Sequence, residues 1–275
     1  MPENSQRASS QLGQEFALAV HAFVLQCFNV RAFRDTVLFC LDAAKPQLAA
    51  KSKDDLDSVT GFRPVAEMLA TIEKKLGYEA IQSLYGGIAI KQLFDARQAI
   101  EASTVVFCFS LLDALLNKLY ALALRSNHAA LLEALGEKKV SIADLLKLPA
   151  DKLIQNKLQE HFEYIQEKSI LTKADRLYAV CKPTSKEVFM VGYSFDETIL
   201  KQFRDLRVSI VHGEHLATSV EDSLKWADFA LRTGCHFGAM VGRKCELVPL
   251  VGDDYFAELA KQTAWSQPTI WPKQP

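Results

Sequence analysis

The stretch from Ala102 to Leu124 constrains the fold more than any other part of the chain, because it is apolar on most sides of a helix. A helix of this kind lies in a protein core or in a membrane. Its length would span a bilayer, but Asp113, Asn117 and Lys118 lie in its second half, where a charge is costly in lipid. We therefore expect the central helix of a soluble, all-α protein. One apolar face repeats every three or four residues: Val105, Phe109, Leu112, Leu116 and Leu119.

The charge balance excludes binding of nucleic acid by bulk charge. The 275 residues hold 32 Lys+Arg and 33 Asp+Glu, for a net charge of -1. Residues 1–100 hold 11 of each sign, which leaves 32 − 11 = 21 basic and 33 − 11 = 22 acidic residues for 101–275. A bulk-charge nucleic-acid binder is markedly basic, so any such role must come from a local site.

The cysteines and the amino terminus favour a cytoplasmic protein. No pair of cysteines forms a CxxC motif, and no two histidines near them have zinc spacing, so we expect reduced thiols and no metal. The first sixteen residues are polar and lack the apolar core of a signal peptide. We expect no cofactor and no membrane partner. The six cysteines are Cys27, Cys40, Cys108, Cys181, Cys235 and Cys245.

Most of the chain has helical periodicity, with a loop and a potential short strand expected at 182–194. The tail after 245 carries two tryptophans and three prolines in its last segment and is expected to be extended. Helices are predicted at 11–29, 30–44, 64–76, 78–93, 96–124, 150–167, 171–181, 195–212 and 218–241, with a short one after Ser141.

The segment Phe203-Arg-Asp-Leu-Arg-Val-Ser-Ile-Val-His-Gly213 carries the functional argument. Arg207 and His212 are five residues apart, a rotation of about 140° on a straight helix. Gly213 follows at the helix end and lets the backbone turn. His exchanges a proton near neutral pH and Arg holds a phosphate in a fork, so the pair suits phosphodiester cleavage. A histidine at a helix carboxyl terminus is also favoured by the helix dipole alone.

This segment resembles the Arg-x4–6-His signature of the HEPN superfamily. The surrounding order is similar too: the apolar helix, a lysine-bearing helix (SILTKADRLYAV), a loop, the signature helix and a long final helix. The resemblance covers about residues 98–240. It implies a HEPN-like antiparallel helical bundle at 98–245, with an N-terminal helical extension at 1–97 and a C-terminal helix and Trp/Pro tail at 246–275.

The resemblance also implies an activity. Many HEPN proteins are metal-independent ribonucleases of toxin–antitoxin or antiphage-defence systems, and they act as homodimers whose Arg and His residues meet in one cleft. Carried over, His212 would be the general base or acid, and Arg207 would stabilise charge on the phosphate. Arg204 and His215 would contact substrate. Alternatively, Arg204 is a surface residue in an ion pair and His215 is a loop residue. RNA and a cognate antitoxin or defence component are the implied partners.

The sequence leaves open whether the site is active and which partners several polar residues have. Active HEPN members mostly carry Asn, Asp or His after the arginine, where this chain has Val208, which favours a non-catalytic dimerisation or sensing module. The third alternative for the function is a helical sensor protein that is unrelated to the HEPN superfamily. Asp113 and Asn117 need polar partners, either on the signature helix or on backbone. Lys173 is expected at the surface.

Overall fold

A computed structural model of the chain describes residues 2–49, 78–136, 150–185, 187–190, 192–213 and 220–247. All regular structure within these ranges is helical, so the predicted all-α class is confirmed. The potential strand at 182–194 is not formed by the residues described there. The helices are α1 (Pro2–Ala49), α2 (Tyr78–Ser126), α3 (His128–Gly136), α4 (Ala150–Gln166), α5 (Ile170–Cys181), α6 (Glu197–Val211) and α7 (Val220–Lys244).

Two pairs of predicted helices are each one helix in the structure. The segments 11–29 and 30–44 form the single helix α1, which continues past Pro46. The segments 78–93 and 96–124 form α2, which runs through Gly86 and Gly87. Helix propensity is a weak local signal, with a cost of about 1 kcal/mol at a glycine and about 3 kcal/mol at a proline, and Pro46, Gly86 and Gly87 do not end these helices. The helices predicted at 64–76 and after Ser141, and the tail, lie outside the described residues.

The chain forms two compact units that are not continuous in sequence. The first unit draws on residues 1–26, 109–204 and 228–275, and the second on residues 27–108 and 205–227. Helices α1, α2, α6 and α7 each contribute residues to both. The division at 1–97, 98–245 and 246–275 stays a prediction.

The core of the first unit is built on α2. Its predicted apolar face is buried, and Phe16, Val20 and Phe23 of α1 are buried as well. Gly234 of α7 approaches this layer closely, because a Cβ there would lie 2.2 Å from Cε1 of Phe23. Phe203 of α6 makes edge-to-face contacts with Phe109 and Phe229, with ring centroids 5.2 and 5.8 Å apart. The core is therefore shared among four helices.

The second unit contains a buried polar network that joins three helices. Arg34 of α1 is 3% exposed and Glu101 of α2 is 1% exposed. The guanidinium donates from Nε to Oε2 of Glu101 at 2.7 Å and from Nη2 to Oε1 at 3.0 Å. Ser223 of α7 accepts a hydrogen bond from Nε of Arg34 at 3.0 Å and donates to Glu101. The Glu101 carboxylate is therefore bound by both the guanidinium of Arg34 and the hydroxyl of Ser223, in a site from which water is excluded.

Within the part of the chain that the structure describes, two helical stretches are long and apolar enough to cross a membrane by length and composition, Gln11–Ala44 and Asp95–Ser126. The second includes the stretch that the sequence assigns to a protein core. The tested windows are 28% and 50% buried within the protein, respectively. Core helices of soluble proteins meet the same criterion, so the soluble, cytoplasmic assignment stays a prediction.

Candidate active site at the end of helix α6

Helix α6 begins at a polar cap and is anchored by two core residues. The carboxylate of Asp196 accepts a hydrogen bond from the backbone N–H of Thr198 at 2.7 Å, which satisfies one free donor of the first turn. The helix predicted at 195–212 thus begins two residues later in the structure, at Glu197. Leu200 and Phe203 are fully buried, so they fix the rotation of the helix. The residues that follow are presented at a defined angle.

The carboxyl end of α6 is closed by a glycine turn. The helix ends at Val211, and the N–H of His212 donates to the carbonyl oxygen of Val208 at 3.0 Å. The N–H of Gly213 donates to the carbonyl oxygen of Ile210 at 3.1 Å, and Gly213 has φ +73°. This left-handed conformation favours glycine at a helix end. The predicted stop at Gly213 is therefore confirmed.

The structure places three of the four predicted site residues on or next to α6. His212 is exposed, and Arg207 and Arg204 are half-buried. Arg207 and His212 belong to the second unit, whereas Arg204 belongs to the first. His215 lies outside the described residues.

Arg207 and His212 both lie near the carboxyl end of α6, five residues apart in the chain. Five residues correspond to about 7.5 Å along the axis of a helix, within the reach of a long Arg side chain. Arg207 is half-buried, and the Nε atom of its guanidinium is buried. A phosphate bound between an imidazole and a guanidinium at this spacing would meet a proton donor or acceptor and a fixed cation.

The surface beside His212 is apolar. Val208 is 38% exposed and Val211 is 52% exposed. Two exposed valines in consecutive turns at a helix end form a small patch next to a titratable group. Single exposed apolar residues are common on protein surfaces, and this pair contributes apolar area beside the imidazole.

Lys173 corrects one expectation from the sequence. Its side chain is 1% exposed rather than at the surface, and its Nζ donates to both carboxylate oxygens of Asp113 at 2.7 Å. The partner of Asp113 is therefore on α5, not on the signature helix or on backbone. Asn117 shares the first unit, and its Oδ1 is buried with no hydrogen-bond partner among the described residues.

Two histidines of the first unit, His161 and His236, are buried. His161 forms a hydrogen bond with the hydroxyl of Tyr120 at 3.0 Å, and His236 forms one with the hydroxyl of Tyr178 at 3.1 Å. Both pairs join helices of the first unit. Within the described ranges, no three His, Cys, Asp or Glu side chains cluster in a way that could hold a metal ion.

Arg34, Glu101 and the contact between Cys181 and Cys245 are not among the residues and contacts that the sequence predicts. The sequence does hold a signal for the buried pair of Arg34 and Glu101. Arg34 has the same helical spacing as the buried residues Phe23, Cys27 and Leu38 of α1. A charge in register with an apolar face indicates a buried pair. The sequence holds no signal for the contact between the two cysteines, because they are 64 positions apart in the chain.

Comparisons with known proteins add no relative to this description. A scan against family models, a search of the curated proteins and a search of the solved structures each found no match.

Proposed function

We propose that the chain is a HEPN-like, metal-independent RNA endonuclease of the toxin or antiphage-defence type that acts in the cytoplasm as a homodimer. The observation that supports this function best is the end of α6. His212 is exposed there at a turn made by Gly213, and Arg207 lies one and a half turns earlier on the same helix. An exposed imidazole can exchange protons with a substrate, and a neighbouring guanidinium can bind its phosphate.

In the proposed reaction, the ribose 2′-OH attacks the adjacent phosphorus. His212 removes the proton from the 2′-OH or supplies one to the leaving oxygen. Arg207 stabilises the negative charge that develops on the phosphate oxygens. Arg204, one turn before Arg207, extends the contact along the phosphate backbone. The neutral chain is compatible with this arrangement, because few cations are needed when two copies of the site share one cleft.

The exposed pair Val208 and Val211 supports a second copy as the molecule that covers this helix end. Apolar residues next to a polar site favour a protein neighbour that excludes water from it. A symmetric dimer brings the same patch of both chains together, and with it both pairs of Arg207 and His212.

The decisive experiment is cleavage of RNA by the purified protein in the presence of a chelator. We expect cleavage with a terminal cyclic phosphate as the product of 2′-OH attack. His212→Ala should lower the rate by about 10²–10⁴-fold, the usual contribution of a general acid or base. Arg207→Ala should cause a comparable loss. His21→Ala is the matched control, since His21 is an exposed histidine on α1. Activity that requires a metal ion, or that survives His212→Ala, would refute the proposal.

A non-catalytic HEPN-like dimerisation or sensing module is the second candidate. The observation that favours it is Val208, which is exposed beside His212 and can neither orient the imidazole nor bind phosphate. The discriminating variant is Val208→Asn. A wild-type dimer without cleavage, together with cleavage gained by Val208→Asn, would identify a site that has lost its activity. A wild-type enzyme that cleaves would exclude this candidate.

A further inference from the structure

The ends of two helices in the first unit bring two thiols into contact. Cys181 is the last residue of α5, and Cys245 directly follows α7. The two side chains are hydrogen-bonded to one another, and the hydroxyl of Ser126 also bonds to Cys245. Cys181 is buried, whereas Cys245 is half-buried and open to solvent on one side. The pair therefore combines an accessible sulfur with a protected one.

The backbone holds both cysteines at tight turns. Lys182 after Cys181 has φ 45°, and Glu246 after Cys245 has φ 51°, so each thiol immediately precedes a left-handed residue. The N–H of Lys182 donates to the carbonyl oxygen of Tyr178 at 2.8 Å, and that of Cys245 donates to Val241 at 2.9 Å. Each cysteine is therefore held at the end of its helix by a local backbone turn.

Ion pairs near the thiols connect the same elements. Nζ of Lys244 lies 2.7 Å from Oε1 of Glu187, and Nη1 of Arg243 donates to the carbonyl oxygen of Val188 at 2.9 Å. The end of α7 is thus tied to the loop that follows α5. The residues on either side of the two thiols are therefore joined by direct contacts.

The electrostatic surroundings make the two thiols unequal. Hydrogen bonds from the Cys181 thiol and the Ser126 hydroxyl lower the pKa of Cys245, because both stabilise its thiolate. The hydrogen bond to Cys245 and burial raise the pKa of Cys181. A thiolate that is accessible and adjacent to a second thiol is the arrangement found in redox-sensing cysteines.

We propose that Cys245 is an oxidation site that takes hydroperoxides, with Cys181 as the residue that resolves it into a reversible disulfide. The Cys245 thiolate attacks one peroxide oxygen, the S–O bond forms, the O–O bond breaks, and the other oxygen leaves as water or an alcohol after taking up a proton. The Cys181 sulfur then attacks the Cys245 sulfenic acid, the S–S bond forms, the S–O bond breaks, and the hydroxyl leaves as water with the Cys181 proton. Two thiols lose two electrons in total, and the peroxide is reduced.

The test uses the full chain, reduced and then treated with one equivalent of hydrogen peroxide before alkylation and tryptic digestion. We expect a cross-linked pair of peptides, residues 177–186 and 245–261, since trypsin cleaves after Arg176, Lys186, Lys244 and Lys261 but not between Lys182 and Pro183. The intact mass should fall by two hydrogens and return after treatment with a dithiol. An intermolecular disulfide, or oxidation of Cys40 while Cys181 and Cys245 are still reduced, would overturn the proposal.

Two variants separate the roles of the sulfurs. Cys181→Ser should stop the reaction at a Cys245 sulfenic acid that dimedone traps, and Cys245→Ser should abolish the disulfide. Cys40→Ser is the matched control, because Cys40 is exposed on α1, and it should leave the cross-link unchanged. The wild-type measurement stands alone if either variant fails to fold. None of these outcomes depends on RNA cleavage.

Discussion

Among the described residues, two ion pairs with buried members join different helices. Glu101 is bound by Arg34 through two hydrogen bonds, and Asp113 is bound by Lys173 in the same way. A buried charge without a partner costs several kcal/mol, so these pairs restrict which helices can pack together. They contribute specificity of packing more than net stability.

Removal of Arg34 tests this view at the level of one residue. Arg34→Met leaves the Glu101 carboxylate buried without its cation, and we expect the free energy of unfolding to fall by about 3–5 kcal/mol. Denaturant unfolding followed by circular dichroism measures it. The double variant Arg34→Met/Glu101→Leu should recover most of the loss, since an apolar pair of similar volume needs no partner.

An exposed ion pair of the same chemistry is the matched control for that variant. Arg97 and Asp42 lie 2.8 Å apart with partly exposed side chains. Arg97→Met should cost less than about 1 kcal/mol, because water screens the pair. Equal losses for Arg34→Met and Arg97→Met would contradict the role assigned to burial.

At the level of helices, the sequence predicts apolar faces and capped ends better than it predicts continuity. The face from Val105 to Leu119 is buried as expected, and α6 begins and ends where Asp196 and Gly213 indicate. Periodicity and caps are local properties, so they are visible in the sequence. The predicted divisions of α1 at 29–30 and of α2 at 93–96 fall on segments without glycine or proline, so local sequence signals do not define where a helix is continuous.

The candidate site was predictable only in part for a related reason. The end of α6, with His212 exposed before Gly213, follows from spacing and turn chemistry. The environment of Lys173 does not, because its partner Asp113 is 60 positions away in the chain. Contacts between distant segments depend on the packing of helices, which periodicity alone does not define.

Close packing between helices at Gly234 gives a prediction at this scale. Gly234→Ala places a methyl group 2.2 Å from Cε1 of Phe23 and 3.0 Å from Cδ2 of Leu115. Overpacking costs about 1–3 kcal/mol, which exceeds the gain of about 1 kcal/mol from a better helix former. We expect a net loss of about 1 kcal/mol in the free energy of unfolding and a lower melting temperature.

A second substitution distinguishes a clash from any other effect of Gly234→Ala. Phe23→Leu removes the ring atoms nearest to the new methyl group, so the double variant should be more stable than the sum of the two single losses predicts. Strict additivity of the two losses would show that the ring is not what opposes the methyl group.

For the whole molecule, the net charge is close to zero, so the pH dependence of stability is governed by individual titrating groups. The net charge of -1 produces little overall repulsion near neutral pH. His236 stands out because its ring is buried against Phe189, Phe195 and Phe237, with centroid distances of 5.7, 6.0 and 5.6 Å. Its Nδ1 has no hydrogen-bond partner among the described residues.

The burial of His236 predicts a loss of stability in mild acid. Burial lowers the pKa of His236 to about 4 from the ordinary 6.5, because the charged ring would lose its hydration. Between these values the unfolded chain binds a proton that the folded chain does not, so the free energy of unfolding falls as the pH falls from about 6.5 to 4, by about 3 kcal/mol from this group. We expect His236→Gln, which keeps a polar partner for Tyr178, to flatten the measured dependence over this range. His21→Gln, at an exposed position, should retain the wild-type slope. An unchanged slope in His236→Gln would show that other groups govern the acid response.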